Sequence, residues 1–534
     1  MDISASIRKL TNFFILGFVV LSGGLVYWQV VVAAQVTANS HNSRSCLLEN
    51  SPWRGTIYDR NGVWLAKSVR DPVAQCGYQR VYADPSLAGL IGYYAGPNYA
   101  ATGIEKQFDG YLSGRITGLS FDSTIDKLLH RSPVGNNLYL TIDERIQQLV
   151  NQHFDDPIQI DNQFTYETDR GAVIVTNPQT GEILAMLSRP TFDPNKLVQT
   201  VQKGDLSYYN QLNDDKIEQP LLERPLQGRY PPGSSYKTMT LIAGLDTGKT
   251  TLKQEFDQQH ALGPINYNGQ NIGPEGNNIP GTNHFPVTTE YGFTHSDNII
   301  FAQIGVNTGF NAWMGYNREF YVEDQIPFDL PVATSHVLPA GRSEMASNEL
   351  AADAFGQGFD FVTPFQMSLV DDAVANDGVL MQPMLVLKIA DHSGNPINTF
   401  SSQSLNTVMK LQTAIDVRQA MFGVTRCGTG ATVSDMFTSS ASVGIIGKTG
   451  TAQVNNTANP HAWFITQAPY SLEASDQRPA LTIVAIKENG GEGGYANGPM
   501  LAHMYTEIFA KGYVKVQFPP PVPSDYCTKT GLTQ

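Results

Sequence analysis

The sequence has few cysteines and no cluster of positive charge. Its 534 residues include only 4 cysteines, and their spacing is not that of metal ligands. Charged residues make up 16% of the chain, and a net charge of -14 without a local basic stripe argues against a nucleic-acid or polyphosphate ligand. The hydrophobic content of 41% is that of an ordered globular protein, and the length allows about two or three domains.

The four cysteines are Cys46, Cys76, Cys427 and Cys527. If the bulk of the chain lies outside the cytoplasm they can pair, and three pairings are possible. The pairs Cys46–Cys76 and Cys427–Cys527 would each stay inside one predicted domain. Four unpaired thiols are an equally good expectation.

Long apolar runs are also scarce, and one run alone has the length of a membrane helix. It extends from Phe13 to Ala34 and follows Arg8 and Lys9. About 20 apolar residues cross a bilayer once, and basic residues before the run place the N-terminus in the cytoplasm. We therefore predict a cytoplasmic N-terminus at residues 1–11, a transmembrane anchor at 12–34 and the remaining chain on the outer face. A cleaved signal peptide is the alternative.

A small mixed domain is predicted at residues 35–136. After a polar linker, the segment from Arg54 to Ala66 has the pattern of a strand, an Asn-Gly turn and a second strand. The rest of the region has short irregular elements and no catalytic pattern. Glu105 and the acidic residues around Glu344 are assigned to structure, because one carboxylate without a partner rarely marks a site.

Residues 137–513 are predicted to form a larger domain that carries the chemistry. Its alternating apolar segments predict strands at Gly171–Thr176, Glu182–Ser188, Val443–Ile446, Ala462–Gln467 and Leu481–Lys487, with a closing helix at 499–511. The first two strands form a hairpin. The Pro-rich tail at 514–534 is expected to be extended and weakly ordered.

The chain is organised around the segment from Tyr230 to Lys237, which reads Tyr-Pro-Pro-Gly-Ser-Ser-Tyr-Lys. The prolines and the glycine cannot continue a helix but can lead into one, which places Ser234 at a helix N-terminus and Lys237 one turn further on the same face. A serine hydroxyl becomes nucleophilic when a neighbouring base takes its proton, and a desolvated lysine can be that base. Alone the pair is a weak signal, because a capping serine and a solvated lysine give the same pattern.

Two further motifs follow in order and strengthen the signal. Ser296-Asp297-Asn298 comes after a Gly- and Asn-rich loop, and Lys448-Thr449-Gly450-Thr451 comes later on a strand. Each is weak by itself. A serine–lysine pair, Ser-Asp-Asn and Lys-Thr-Gly together are the set associated with penicillin-recognising acyl-serine enzymes.

Acyl transfer explains the residue types in the first two motifs. We interpret Ser234 as the nucleophile, Lys237 as the base, and Ser296 with Lys237 as the proton route to the leaving amine. Asn298 would help to position Lys237 and donate to a substrate backbone carbonyl. Asp297 is expected to be a structural residue at the start of a helix.

The third motif is interpreted as the substrate-binding strand. Lys448 and the hydroxyls of Thr449 and Thr451 would hold a substrate carboxylate. Gly450 would leave the strand edge open for a peptide to pair with it. The backbone N–H groups of Ser234 and Thr451 are expected to bind the oxyanion.

The chain as a whole resembles the class B penicillin-binding proteins, which are monofunctional peptidoglycan D,D-transpeptidases. The resemblance covers nearly the whole chain and includes the anchor, Arg54–Ala66, Gly171–Ala185, Tyr230–Ser234, Phe355–Gly358 and Lys448–Gln453. The compact N-terminal domain and the strand at His461–Phe464 are similar to the short actinobacterial-type members (penicillin-binding protein A). A glycosyltransferase domain before residue 138 is not expected, which separates the chain from the bifunctional class A proteins.

The resemblance implies an α+β fold. A transpeptidase domain with an antiparallel five-stranded sheet covered by helices would stand on the N-terminal pedestal, which carries one transmembrane helix. Ser234 would attack a stem peptide ending in D-Ala-D-Ala, and an amine of a neighbouring stem peptide would resolve the acyl-enzyme. β-Lactams would acylate the same serine. The implied partner is a membrane glycosyltransferase of the shape, elongation, division and sporulation family, and neither a cofactor nor a metal is expected.

Three alternatives remain open on the sequence alone. A D,D-carboxypeptidase or β-lactam-hydrolysing enzyme would use the same motifs, but it needs a positioned water and base that no pattern identifies. A β-lactam receptor would need more membrane segments or a cytoplasmic effector than residues 1–11 supply. A non-catalytic scaffold that activates a membrane glycosyltransferase would not need the complete set of motif residues.

Overall fold

The computed structural model describes residues 3–28, 53–72, 74, 77–97, 99–116, 134–157, 165–273, 285–435, 443–454, 458–472, 478–517 and 525–533. The predictions for Cys46, for Cys76 and for the far end of the anchor fall outside these residues.

The described helices are α1 (Ile3–Val26), α2 (Ala88–Ile91), α3 (Gly103–Gln107), α4 (Asp109–Leu112), α5 (Glu144–Phe154), α6 (Pro194–Gln202), α7 (Ser207–Asp214), α8 (Arg224–Gln227), α9 (Lys237–Asp246), α10 (Gln258–Leu262), α11 (Thr289–Thr294), α12 (Asn298–Thr308), α13 (Phe310–Glu319), α14 (Ser347–Asp353), α15 (Pro364–Ala375), α16 (Leu411–Cys427), α17 (Thr432–Asp435), α18 (Gly493–Ala510) and α19 (Tyr526–Thr530). Pro85–Leu87 and Gly233–Tyr236 form 3₁₀ turns.

The described strands are β1 (Ile57–Tyr58), β2 (Trp64–Arg70), β3 (Tyr78–Tyr82), β4 (Asn137–Leu140), β5 (Gly171–Asn177), β6 (Glu182–Arg189), β7 (Glu255–Phe256), β8 (Ile265–Tyr267), β9 (Gln270–Ile272), β10 (Val287–Thr288), β11 (Val379–Met381), β12 (Val386–Ala390), β13 (Pro396–Thr399), β14 (Ser404–Thr407), β15 (Ile446–Ala452), β16 (His461–Ala468) and β17 (Leu481–Lys487).

A five-stranded sheet in the order β15-β16-β17-β5-β6 forms the centre of the larger part of the molecule, and every neighbouring pair is antiparallel. Successive residues of a strand point to opposite faces. Accordingly, Ala172 and Ile174 join the core that holds the serine helix α9, whereas Val173 and Val175 join a second core with α5 and α18. This confirms the expected α+β fold with an antiparallel five-stranded sheet covered by helices.

A six-stranded sheet in the order β13-β12-β4-β1-β2-β3 crosses the predicted boundary at residue 136. Strand β4 lies just beyond that boundary, yet it pairs in parallel with β1 and antiparallel with β12. The predicted strand–turn–strand after Arg54 is present as β1 and β2, with Gly62 in the left-handed region at φ 84°. The N-terminal part and the larger part therefore share backbone hydrogen bonds.

The N-terminal helix α1 begins at Ile3, earlier than the predicted anchor. Its segment Ile7–Val26 is predominantly apolar and is not buried by the rest of the protein. Among the described residues it is the one helix long and apolar enough to cross a membrane by length and composition.

The end of the chain differs from the extended tail that was expected. Residues 526–530 form α19, and Cys527 forms a disulfide with Cys427 at the last residue of α16. Leu532 is only 1% exposed and joins the main core. The Pro-rich composition predicted an extended segment, but the disulfide and the buried leucine hold the last residues against the domain.

Glu105 occupies a buried ion cluster in the N-terminal part. Its two carboxylate oxygens lie 2.5 Å from Arg54 Nε and 2.6 Å from Arg80 Nε, and all three side chains are buried. Burial alone would raise the pKa of Glu105, but the two guanidinium groups outweigh it and hold the pKa below its ordinary value. This agrees with the structural role predicted for Glu105.

Replacing Glu105 with glutamine should strongly destabilise the protein. The substitution removes the negative charge that the two buried guanidinium groups share: Arg80 loses its pairing with Glu105, and Arg54 keeps the partly exposed Asp109. Removing one partner of such a buried pair costs about 3–5 kcal/mol. Thermal unfolding of the full chain in detergent would show a lower Tm. In the wild type, the contribution of Glu105 should be present at neutral pH and be lost as the pH falls through its lowered pKa.

The matched control is Glu182→Gln. Glu182 lies 3.3 Å from Arg60, whose side chain is 30% exposed, so this pair should contribute only about 0–1 kcal/mol. Equal losses of Tm in the two variants would contradict the importance of the buried cluster.

Candidate active site

Ser234 lies in the 3₁₀ turn Gly233–Tyr236, directly before helix α9. Gly233 adopts φ 55°, a conformation that side chains disfavour, and turns the chain from the prolines into the helix. Ser234 is partly exposed, whereas Ser235, Tyr236 and Lys237 are buried. The predicted position of the serine at a helix N-terminus is thus found.

Lys237 connects the first two motifs. Its side chain is 0% exposed. Its Nζ lies 3.0 Å from Ser234 Oγ, 3.2 Å from Ser296 Oγ and 2.6 Å from the Ser296 carbonyl oxygen. It also lies 2.5 Å from Asn298 Oδ1. A buried amine needs such polar partners, and these partners fix it beside the serine hydroxyl.

Ser296 adopts a backbone conformation that most residues avoid. Helix α11 ends in a Schellman motif: the N–H of Ser296 donates to the carbonyl of Phe293 at 3.3 Å, and the N–H of Asp297 donates to that of Gly292 at 2.7 Å. Ser296 has φ 62° at the position that glycine usually takes. The carboxylate of Asp297 then caps helix α12 by accepting from the N–H of Ile300 at 2.9 Å. Asp297 therefore has the structural role that was predicted.

Lys448 approaches the same serine from the sheet. Its Nζ lies 3.0 Å from Ser296 Oγ, and its side chain is 0% exposed. Burial lowers the pKa of Lys448 well below the ordinary lysine value, and the charge of Lys237 lowers it further. Two buried lysines therefore share one serine hydroxyl, and the charge of Lys237 disfavours the charged form of Lys448.

The backbone of Gly450 packs closely against the serine turn. A Cβ atom at Gly450 would lie 2.8 Å from the Pro232 carbonyl oxygen, 2.9 Å from Trp463 Cβ and 3.0 Å from the Ser235 nitrogen. Strand β15 can therefore contact the serine turn only with glycine at position 450. This packing requirement was not predicted from the sequence. Its proposed contact with substrate stays a prediction.

The backbone carbonyl of Thr451 points towards the same turn. Its carbonyl oxygen would lie 2.6 Å from a Cβ at Gly233 and accepts from Gln357 Nε2 at 3.3 Å. In an antiparallel strand the N–H and C=O of one residue point to the same side, and β15 is the edge strand of its sheet. The Thr451 N–H is therefore directed towards the side on which Ser234 lies.

Two further segments support the motifs: Thr429, which sequence reasoning missed, and Phe355–Gly358, which it noted only as part of the family resemblance. Thr429 Oγ1 lies 2.5 Å from Thr449 Oγ1. Gly356 has φ 83°, and a Cβ there would lie 1.9 Å from the Gly233 carbonyl oxygen, so the Phe355–Gly358 segment packs directly behind the serine turn. The resemblance had marked that segment without giving its role, whereas no local pattern marks Thr429.

His295, next to Ser296, was also missed. Its Nε2 lies 3.0 Å from the carbonyl oxygen of Leu532 in the C-terminal segment. Burial lowers the pKa of His295, and the contact with Leu532 only partly offsets this effect. A neutral imidazole that donates to this carbonyl thus links the end of the chain to the Ser-Asp-Asn loop.

Together these contacts define a class of enzyme. A partly exposed serine beside a buried lysine, with a second serine shared by two lysines, is the geometry of acyl transfer through a serine ester.

Comparisons with known proteins agree with this class. Residues 171–506 match the model of the penicillin binding protein transpeptidase domain, and residues 54–138 match that of the penicillin binding protein A dimerisation domain. The chain is 30% identical over 505 residues to the peptidoglycan D,D-transpeptidase PbpA of Mycobacterium tuberculosis, covering 93% of this chain and 96% of the relative. It is 29% identical over 515 residues to PbpA of Mycolicibacterium smegmatis, with coverage of 93% and 96%.

A solved structure of penicillin-binding protein A from M. tuberculosis, an imipenem acyl-enzyme complex, aligns with a TM-score of 0.73 at 28% identity. The alignment covers 87% of this chain and 100% of the other. The chain belongs to the penicillin-binding protein transpeptidase family. The resemblance recognised in the sequence is thereby confirmed.

Ser296 offers a test of the strained backbone at the site. Ser296→Ala and Ser296→Gly both remove the hydroxyl, but only glycine relieves the left-handed conformation, which costs other residues about 1–2 kcal/mol. We expect the glycine variant to have the higher Tm. Equal Tm values for the two variants in thermal unfolding would contradict the strain at this position.

Proposed function

We propose that the chain is a peptidoglycan D,D-transpeptidase in which Ser234 is the acylated residue. The observation that carries this assignment is the 3.0 Å separation between Lys237 Nζ and Ser234 Oγ, with Lys237 fully buried. Lys237 takes the hydroxyl proton as Ser234 attacks. Ser296, which lies within reach of both Lys237 and Lys448, passes a proton to the leaving amine.

The substrate follows from the family and the site. Ser234 Oγ forms an ester with the carbonyl of the penultimate D-Ala of a stem peptide, and the terminal D-Ala leaves with the transferred proton. The amine of a neighbouring stem peptide then attacks the ester, which forms the cross-link and returns the proton to Ser234. A β-lactam acylates the same oxygen when its ring opens, so that no leaving group departs.

Substrate recognition is proposed for strand β15. Lys448, Thr449 and Thr451 would hold the terminal carboxylate, and the edge of β15 at Gly450 would pair with the peptide backbone. Asn298, whose Oδ1 holds Lys237, would present its amide N–H to a substrate carbonyl. The N–H groups of Ser234 and Thr451 would bind the oxyanion, since both lie where the serine turn meets the strand.

The protein is proposed to be anchored by α1 with its N-terminus in the cytoplasm. Arg8 and Lys9 lie near the start of this apolar helix, as expected for a cytoplasmic end. The catalytic part would then lie on the outer face, where the Cys427–Cys527 disulfide is stable. We retain the predicted limits of 1–11, 12–34, 35–136, 137–513 and 514–534 as the proposed organisation.

A membrane glycosyltransferase of the shape, elongation, division and sporulation family is the proposed partner. It would contact the anchor and the N-terminal part, because both lie nearest the membrane. The apolar helix α1, which is long enough to cross a membrane, supports such a contact.

Intact-mass measurement after incubation with penicillin tests the acyl-serine assignment. The wild type should gain the mass of one penicillin, and Ser234→Ala should gain none. Ser235→Ala is the matched control: its hydroxyl is buried and donates to the Pro232 carbonyl at 2.8 Å, so this variant should still be acylated. An adduct on Ser234→Ala, or none on the wild type, would overturn the assignment.

The lifetime of the adduct separates the transpeptidase from the hydrolase. A transpeptidase site lacks a base that activates water for deacylation, so the wild-type adduct should persist after free penicillin is removed. Loss of the adduct within seconds would instead identify a β-lactam-hydrolysing enzyme.

A further inference from the structure

A cluster of metal-binding residue types lies on the opposite face of the five-stranded sheet from the serine helix. It consists of His153, Asp156 and His503, and is called here the His–Asp–His cluster. His153 is in the last turn of α5, Asp156 follows that helix, and His503 is on α18. The two helices pack together in the second core. The cluster takes no part in the chemistry proposed for Ser234.

The ligand atoms of the cluster converge. His153 Nδ1 lies 2.8 Å and His503 Nδ1 lies 2.6 Å from the same oxygen, Asp156 Oδ2. One possible donor atom from each of the three residues lies within 4.8 Å of the other two. The two rings are tilted at 45° with centroids 5.4 Å apart. Two imidazole nitrogens and a carboxylate oxygen therefore surround one point between the helices.

Glu507 completes the arrangement from outside. It lies four residues after His503, on the same face of α18. Its Oε1 lies 3.1 Å from Nε2 of His153, and its Oε2 lies 2.8 Å from Lys511 Nζ. The second nitrogen of His153 is thus held by a carboxylate, as is usual for a histidine that binds a metal through its other nitrogen.

The hydrogen-bond capacity of His153 makes this geometry informative. A neutral imidazole has one N–H and one lone pair. Both nitrogens of the buried His153 face carboxylates, so a neutral ring would direct its lone pair at one of them. A cation bound to Nδ1 is one arrangement that satisfies both nitrogens, because the neutral ring can then donate Nε2–H to Glu507 and offer its lone pair to the metal.

We propose that the His–Asp–His cluster binds one zinc ion through Nδ1 of His153, Nδ1 of His503 and a carboxylate oxygen of Asp156. Zinc is favoured because two imidazoles and one carboxylate, with a further position for water, are a common donor set for this ion. Tetrahedral bonds of about 2.0–2.1 Å separate donors by about 3.3 Å, so each imidazole Nδ1 needs to move away from Asp156 Oδ2 by less than about 1 Å. His503 is 44% exposed, which gives its ring room to adjust.

The role of this ion is structural. It joins the end of α5 to α18, and these two helices cover the face of the sheet opposite Ser234. An ion that binds the folded chain raises its stability in proportion to its affinity and concentration. The proposed zinc site was not predicted from the sequence, which gave no metal ligands. The prediction that no metal takes part in acylation at Ser234 is unchanged.

Zinc titration of the full chain tests the proposal. The protein would be purified in detergent without a histidine tag, stripped with a chelator and titrated with zinc against a chromophoric zinc indicator. We expect one equivalent to bind and to raise Tm. We also expect cobalt to give the visible absorption of a four-coordinate site with nitrogen and oxygen ligands. His503→Asn should weaken zinc binding at least about tenfold, and Glu507→Gln should weaken it about tenfold by releasing His153.

His260→Asn is the matched control. Nδ1 of His260 lies 2.8 Å from the Asp257 carboxylate, but this pair is exposed and no third ligand joins it among the described residues, so its loss should leave zinc binding unchanged. Penicillin adduct formation should persist in all three variants, which shows that they are folded and separates this test from that of Ser234. Absence of stoichiometric zinc binding by the wild type, or unchanged binding by His503→Asn, would overturn the proposal.

Discussion

The burial of the Lys237 amine is the constraint on which the active site depends. An amine that is 0% exposed must find its polar partners within the protein. These partners come from the serine turn and from the Ser-Asp-Asn loop, at Ser234, Ser296 and Asn298. Satisfying one side chain therefore fixes two chain segments relative to each other. Lys448 adds the third segment by reaching Ser296 from the sheet.

Close backbone contact holds these segments together, and glycines make it possible. A Cβ at Gly233, Gly356 or Gly450 would lie within 3.0 Å of backbone atoms of a neighbouring segment. The serine turn thus packs between strand β15 and the segment that contains Gln357. Because close-packed backbone cannot shift independently, the nucleophile is held rigidly against the strand proposed to bind substrate.

Support for the site also comes from parts of the chain that carry no motif. The Cys427–Cys527 disulfide brings the C-terminal segment back to the larger part of the molecule, where Leu532 is buried and meets His295 beside Ser296. On the other side, β4 joins the larger part to the N-terminal sheet through backbone pairing. The pedestal and the catalytic part are thus linked by a shared sheet.

The sequence by itself determined the elements and motifs that depend on neighbouring residues. These include the hairpin of β5 and β6, the serine at the start of α9, the Asp297 cap and the order of the three motifs. Only the tertiary structure decided the rest. The Lys-Thr-Gly motif lies on a strand as predicted, but β15 extends from Ile446 to Ala452 rather than over the predicted Val443–Ile446, because pairing with β16 sets its limits. The left-handed Ser296, the docked Leu532 and the meeting of His153 with His503 all depend on contacts between residues distant in the chain, which no local pattern encodes.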